Sequence, residues 1–195
     1  MLFAAGCEDG IEPLSPGSSA VDRVRAGDLT FTLQILNMQG EPQSEFKGGE
    51  NLQFQFVIEN KGDSIVRLPI YWNFPVVNQD FFALYRKTQE SGGQARLGKS
   101  FDVGPNFRDI APVSVPAMGA SVYTMPWLTD KDSLYIMPIY IEQGILQEPS
   151  GLVRRYRASD DPLSALPVGE YFTGFTIRYS ESDSVRLEAS FTIDR

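Results

Sequence analysis

The chain contains no histidine and a single cysteine, Cys7. Histidine is the usual general base near neutral pH and the commonest side-chain metal ligand. Its absence therefore excludes a Ser-His-Asp triad and every metal site that needs an imidazole. With one cysteine, the chain cannot form an internal disulfide, a cysteine-rich zinc site or a CxxC redox pair. We therefore expect no catalytic residue, no metal and no cofactor.

Positive charge is also scarce. The chain has 17 Lys and Arg against 25 Asp and Glu, a formal net charge of −8 at pH 7. This balance argues against a nucleic-acid partner, which requires a basic surface. A run of about 18 apolar residues, the length typical of a transmembrane helix, does not occur either. The hydrophobic fraction of 42% is sufficient for the core of one sizeable domain.

What the sequence has in abundance is alternation of apolar and polar residues, the period of a strand with one buried face. The clearest example is residues 52–60, where Leu52, Phe54 and Phe56 alternate with glutamines. Further strands are predicted at residues 29–35, 64–68 with an extension through 70–74, 81–86, 95–101, 113–115, 120–127, 171–179 and 185–193, and residues 134–141 are apolar and rich in Tyr and Ile. Pro69 requires an edge position or a bulge. The pattern predicts an all-β protein, an antiparallel β-sandwich of roughly seven to nine strands with long loop insertions.

Cys7 follows Leu2-Phe3-Ala4-Ala5-Gly6 and precedes Glu8-Asp9. Small residues before a lone cysteine, with apolar residues before those, resemble the lipobox of bacterial lipoproteins. The resemblance implies cleavage before Cys7 and lipidation of this residue. Only six residues precede it, so the chain would begin part-way through a signal peptide. Residues 8–27, rich in Pro, Gly and Ser at their centre, are then interpreted as a flexible linker.

Three landmarks resemble the immunoglobulin-like domains of bacterial envelope proteins. They are the strand ending in Glu59-Asn60-Lys61-Gly62, the turn 115–119 before a strand ending in Trp127, and Leu166-Pro167-Val168-Gly169-Glu170-Tyr171 before a last hairpin. The nearest type is the intracellular proteinase inhibitor-like domain. The resemblance implies structural roles for Gly119, Gly169 and Tyr171. Tyr171 is expected to send its hydroxyl back to the preceding corner, as in the tyrosine corner of such sandwiches.

Two groups of residues are candidate ligand contacts. Tyr71, Trp72 and Trp127 could stack on sugar rings if exposed, although core packing explains aromatic residues on sandwich strands more simply. Arg154, Arg155 and Arg157 form the one concentrated basic segment. They could contact an anionic ligand, a lipid headgroup or an acidic partner, or lie on a solvated face.

We therefore predict a signal remnant with lipobox at residues 1–7, a linker at 8–27 and an immunoglobulin-like β-sandwich at 28–195. The expected function is a non-enzymatic binding or interaction module of the bacterial cell envelope, lipid-anchored and facing the periplasm or cell surface. Its partner would be a protein or a glycan, contacted through the loops 73–80, 101–112 and 143–165. A proteinase-inhibitor-like domain and a carbohydrate-binding accessory protein are the alternatives.

Overall fold

The computed structural model describes residues 19–71, 80–88, 93–99, 112–127 and 166–195, with Tyr71 described for its backbone only. These residues form eleven strands and no helix. The strands are β1 (Val21–Ala26), β2 (Leu29–Leu36), β3 (Glu45–Lys47), β4 (Leu52–Asn60), β5 (Val66–Tyr71), β6 (Ala83–Lys87), β7 (Gln94–Lys99), β8 (Pro112–Val115), β9 (Gly119–Trp127), β10 (Gly169–Arg178) and β11 (Ser184–Asp194). The predicted all-β class is confirmed. The apolar segment 134–141 lies outside the described residues.

The strands form two main sheets and one separate pair. The first sheet has the order β1-β2-β4-β9, the second has the order β3-β11-β10-β6-β7, and β5 pairs with β8. All pairings are antiparallel except that of β3 with β11, which is parallel. This is an immunoglobulin-like β-sandwich, and its second sheet is mixed rather than purely antiparallel.

Alternation along the strands builds the core between the two sheets. Leu52, Phe54 and Phe56 on β4 are fully buried, whereas Gln55 between them is only partly buried. From the facing sheet, Phe175 on β10 packs edge-on against Phe56, with 5.1 Å between the ring centroids. Phe81 packs against Phe175 at 4.8 Å and fills the space beside it. Aromatic contacts of this kind stabilise the sandwich beyond simple burial of area.

The predicted boundary between linker and domain was wrong, because the linker prediction of 8–27 included the strand β1. Val21 to Ala26 pair along their full length with β2. This segment also covers the outer edge of β11: the Glu188 amide donates to Asp22 Oδ2 at 2.8 Å, and the Ser190 amide to the Ser19 carbonyl at 3.0 Å. An edge strand needs such partners for its N–H groups. The folded domain therefore begins at least as early as Ser19.

Pro69 lies within β5, where the sequence required either an edge position or a bulge. The pairing of β5 with β8 is irregular between Arg67 and Tyr71, and among the described strands β5 pairs with β8 alone. A proline, which has no N–H to donate, is tolerated at such an edge or irregularity. The expectation of an edge position or a bulge is confirmed.

The sandwich has two ends that matter for function. At the Trp127 end, β4 begins at Leu52 and β9 finishes opposite it at Trp127. At the Asn60 end, β4 finishes at Asn60, opposite Gly119. The chain enters β1 near the Trp127 end, since Val21 pairs with Gln34 close to the end of β2. The connection that follows β9 leaves this end and returns to the core at Leu166.

Candidate functional site

Several predicted contact residues lie outside the described residues. These are Cys7, Trp72, Arg154, Arg155 and Arg157, together with nearly all of the loops 73–80, 101–112 and 143–165. Asp80 and Pro112 are the described residues at the loop boundaries. Tyr71 ends β5, where its backbone pairs with Pro112. Their roles in binding stay predictions.

Trp127 is not an exposed aromatic platform. Its side chain is 4% exposed and belongs to the hydrophobic core. The reason is its register: Trp127 lies directly opposite Leu52, which faces the interior, and opposed residues in an antiparallel pair point to the same side. Its indole Nε1 is buried, and no acceptor is seen for it in the described part of the chain. The hypothesis that Trp127 stacks on a sugar ring is therefore wrong, and core packing is its role.

Tyr171 is fully buried at the start of β10 and holds a corner of the fold. Its hydroxyl donates a hydrogen bond to the carbonyl of Pro167, four residues upstream. Its ring stacks on Phe191 at 5.3 Å, and the Arg86 guanidinium lies 6.0 Å from its centroid on the adjoining strand. This is the geometry of a tyrosine corner.

The side chain of Arg86 also lies close to Gly169. Its φ is +156°, and a Cβ placed there would lie 3.1 Å from Arg86 Nε. Arg86 in turn donates to the carbonyl of Val168 at 2.8 Å. Glycine is thus required by close approach as well as by backbone conformation. Tyr171 and Gly169 have structural surroundings, and neither presents a ligand-binding group to solvent.

At the Asn60 end, the side chain of Asn60 joins two turns. Its Nδ2 donates to the carbonyls of Ser64 at 2.8 Å and Pro116 at 3.0 Å, with a longer contact to Val115 at 3.3 Å, and its Oδ1 accepts from the Gly62 amide at 2.9 Å. The side chain is 2% exposed. A buried amide with this many partners fixes the β4–β5 turn against the β8–β9 turn.

In the β8–β9 turn, Met118 and Gly119 are constrained in different ways. The positive φ of +50° belongs to Met118, not to Gly119. Gly119 is required instead by packing, because a Cβ there would lie 3.0 Å from the Pro116 Cβ. The Met118 side chain is 76% exposed, and nearby Ile65 is 66% exposed. The Asn60 end is therefore a rigid tip with two exposed apolar side chains.

A polar cluster that the sequence did not reveal lies on the hairpin of β6 and β7. The Tyr85 hydroxyl donates to Asp80 Oδ1 at 2.7 Å, and Arg96 lies opposite Tyr85 in the neighbouring strand. Lys99 lies opposite Ala83 in the same hairpin. Partial burial, with a smaller contribution from the positive charge of Arg96, lowers the pKa of Lys99 to about 8. In the sequence these residues are typical of surface charges on a strand that is only weakly predicted. Gly98 alone indicates that the strand pairing could be irregular.

Within the described ranges, no group of three or more His, Cys, Asp or Glu residues is placed to hold a metal ion. No described helix is long and apolar enough to cross a membrane. Comparison with known proteins found no match to a family model, to a curated protein or to a solved structure.

Proposed function

We propose that the chain is a non-enzymatic binding module of the bacterial cell envelope, held there by a lipid on Cys7. The observation that carries the proposal is the rigid immunoglobulin-like sandwich from which a long connection departs. Residues 128–165 join Trp127 to Leu166, both of which are buried in the core. Proteins commonly place recognition on long connections that a rigid framework holds in position. The Arg154-Arg155-Tyr156-Arg157 segment lies within this connection in the sequence.

The lack of histidine and the single cysteine support a binding role over catalysis. The position of Ser19, the first described residue, supports anchoring, because Ser19 lies on the surface, where its amide and carbonyl contact Ser190 at the edge of β11. A segment that precedes Ser19 can thus leave the sandwich without disturbing the core. Eleven residues separate Cys7 from Ser19 and can span up to about 40 Å when extended.

Lipid attachment is tested by expressing the full-length gene in bacteria with a radiolabelled fatty acid. The wild-type protein is expected to carry the label at Cys7, as located by mass spectrometry, and to sediment with membranes. The Cys7→Ser variant is expected to carry none and to remain in the soluble fraction. Label that persists in Cys7→Ser would contradict the proposed anchor.

Binding is tested separately with the Cys7→Ser protein, which removes the lipid as a source of attachment. Fluorescently labelled protein is incubated with washed envelopes, and unlabelled protein competes for the same sites. We expect saturable binding that the unlabelled protein displaces. Replacement of Arg154, Arg155 and Arg157 together by Gln tests whether the basic segment contributes. The charge-matched control replaces Arg23, Arg25 and Lys61 together by Gln. Binding that does not saturate would contradict the proposed interaction role.

A further inference from the structure

A β-bulge places two cationic side chains on one face of the β6–β7 hairpin. Arg96 pairs with Tyr85, but Gly98 pairs with Leu84 and Lys99 with Ala83, so Leu97 is an extra residue between the paired positions. In a regular strand, Arg96 and Lys99 would point to opposite faces because they are three residues apart. The extra residue restores them to the same face. Gly98, with φ of +114°, supplies the backbone conformation next to the bulge.

This shared face is the outer surface of the second sheet. Leu84 is fully buried in the core, so Ala83 and Tyr85 on either side of it lie on the opposite face of β6, where Ala83 is also fully buried and Tyr85 is partly buried. Their partners Lys99 and Arg96 lie on the same face with them. Since Ala83 and Tyr85 are two residues apart, the paired cations lie roughly 7 Å apart along the strands. A single ligand group of a few ångströms can therefore contact both.

An aromatic surface lies beside the two cations on the same face of the sheet. The ring of Tyr85 stacks on Phe172 of β10, with 5.1 Å between centroids and 16° between planes. Phe172 is 7% exposed and Ala83 is fully buried. The Tyr85 hydroxyl is held by Asp80, so the ring cannot turn away without losing that hydrogen bond. The face is thus rigid, with apolar rings on β10 and β6 and cationic side chains on β7.

The described charged groups of the cluster are the two cations Arg96 and Lys99 and the carboxylate of Asp80. Arg96 also contacts the Tyr85 hydroxyl, and Lys87 pairs separately with Glu170 at 3.3 Å. Burial and the neighbouring guanidinium disfavour the charged form of Lys99, and Asp80 opposes this only in part. A bound anion would stabilise both cations at once. Such a positive site is unusual on a chain whose net charge is −8.

We propose that the outer face of the β6–β7 hairpin is a binding site for a phosphate group, held by the Arg96 guanidinium and the Lys99 ammonium. Two cations suit a phosphate monoester, which carries up to two negative charges, better than a singly charged carboxylate. The guanidinium can donate two parallel hydrogen bonds to phosphate oxygens, and the ammonium provides a compact charge beside them. This inference rests on the proposed binding role, to which it adds a ligand class.

The test measures the Lys99 ammonium directly, by NMR of the full chain with ¹³C-labelled lysine. Inorganic phosphate is added at constant ionic strength. We expect a saturable shift of the Lys99 signal and a rise in the pKa of Lys99 from about 8 towards its ordinary value of 10.5. Arg96→Gln should weaken phosphate binding by about tenfold or more. Lys61→Gln, which removes one positive charge from the distant β4–β5 turn, should leave binding unchanged.

A second variant tests the bulge itself. Deletion of Leu97 makes the β6–β7 pairing regular and leaves Arg96 and Lys99 two residues apart on the same face, so phosphate binding should persist in a strand without the bulge. If this deletion does not fold, the comparison of Arg96→Gln with Lys61→Gln still tests whether Arg96 binds phosphate. Vesicles of phosphatidic acid, with phosphatidylcholine as the neutral control, distinguish a lipid phosphate from a soluble one. Binding to either source supports the site.

Two outcomes would overturn it. One is a Lys99 signal that responds neither to phosphate nor to phosphatidic acid, and the other is a response that Arg96→Gln leaves intact. Neither outcome bears on the lipid at Cys7 or on envelope binding, which are measured by the fatty-acid label and by competition. The failure of this site can therefore be separated from the failure of the proposed function.

Discussion

Met118 shows how one residue can be held in a conformation that its own chemistry disfavours. Its φ is +50°, in the left-handed region where residues other than glycine and asparagine are uncommon. Its amide donates to the Gly62 carbonyl at 3.0 Å, which fixes the backbone there. The side chain is 76% exposed and gains little from burial. The conformation is therefore imposed by the two turns that Asn60 joins, at the expense of local stability.

Met118→Gly is expected to stabilise the protein by about 1 kcal/mol, because glycine adopts this conformation without strain and little buried area is lost. The free energy of unfolding is measured by urea denaturation. Ala117→Gly is the matched control, since Ala117 has no positive φ and glycine there only adds freedom to the unfolded chain. A Met118→Gly protein less stable than the wild type would show that the exposed methionine makes a stabilising contact.

Tyr171→Phe removes one hydroxyl while it keeps the buried ring on Phe191. The carbonyl of Pro167 then loses its hydrogen-bond donor. We expect a loss of about 1 to 1.5 kcal/mol in the free energy of unfolding, the usual effect of one partly buried hydrogen bond. Tyr179→Phe serves as the control, because its partly buried ring packs on Phe31 at 5.6 Å and no hydrogen bond of its hydroxyl is seen among the described residues. Equal losses in both variants would contradict a special role for the corner.

Among the elements, the paired turns at the Asn60 end depend on a single side chain. Asn60→Ala removes an amide that contacts three carbonyls and one N–H group in a site that is 2% exposed. We expect destabilisation of about 2 to 3 kcal/mol, since buried polar groups are left without partners. Hydrogen exchange should show faster opening at residues 60–66 and 114–119 than in β10 and β11. Asp63→Ala in the same turn, at an exposed position, should change stability by about 0.5 kcal/mol or less.

Strands were predictable from sequence where burial creates alternation. β4 and β11 show this clearly, because every second side chain enters the core. β1 was missed because its side chains are only partly buried and it is held by backbone pairing with β2. β3 was missed because its three residues pair in parallel with the end of β11, about 150 residues away. Pairing over such distances leaves no trace in local composition.

The candidate sites were less predictable, and for a physical reason. Trp127 in the sequence is compatible with either a platform or a core residue, and only its register opposite Leu52 decides for the core. Arg96 and Lys99 appear to belong to opposite faces until the bulge at Leu97 is known. Tyr171 was the exception, because the Leu-Pro-x-Gly-x-Tyr pattern contains the whole corner within six consecutive residues. Sites assembled from distant or irregular strands require the fold to be known.

For the whole molecule, the segment from Ser19 through β1 and the strand β3 cover the same edge of the sandwich, that of β11. Ser19 and Asp22 contact the backbone of β11, and β3 continues the cover where the Thr192 amide donates to the Ser44 carbonyl at 2.8 Å. The N-terminal segment is therefore fixed up to Ser19, and an anchor at Cys7 would act on the domain through this edge. The chain enters the sandwich near the Trp127 end, so an anchor at Cys7 would be connected to the Trp127 end and not to the Asn60 end.

In the lipid-anchored protein, the Trp127 end is expected to lie nearer the membrane than the Asn60 end. If the eleven residues between Cys7 and Ser19 form the linker that the sequence predicts, their end-to-end distance is about 18 Å. The nine residues of β4 extend about 30 Å from one end of the sandwich to the other. The linker is thus shorter on average than the domain is long, and it cannot place both ends equally close to the membrane.

Spin labels at Gln39→Cys, in an exposed turn at the Trp127 end, and at Lys61→Cys, in an exposed turn at the Asn60 end, measure this difference. Since Cys7 is acylated in the anchored protein, only the introduced cysteine is labelled. A lipid-soluble relaxation agent should broaden the Gln39 label more strongly than the Lys61 label. The same pair in a Cys7→Ser background should show no such difference in the presence of vesicles. Stronger broadening at Lys61 in the anchored protein would mean that the domain lies with its Asn60 end, and the exposed Met118 and Ile65, against the membrane.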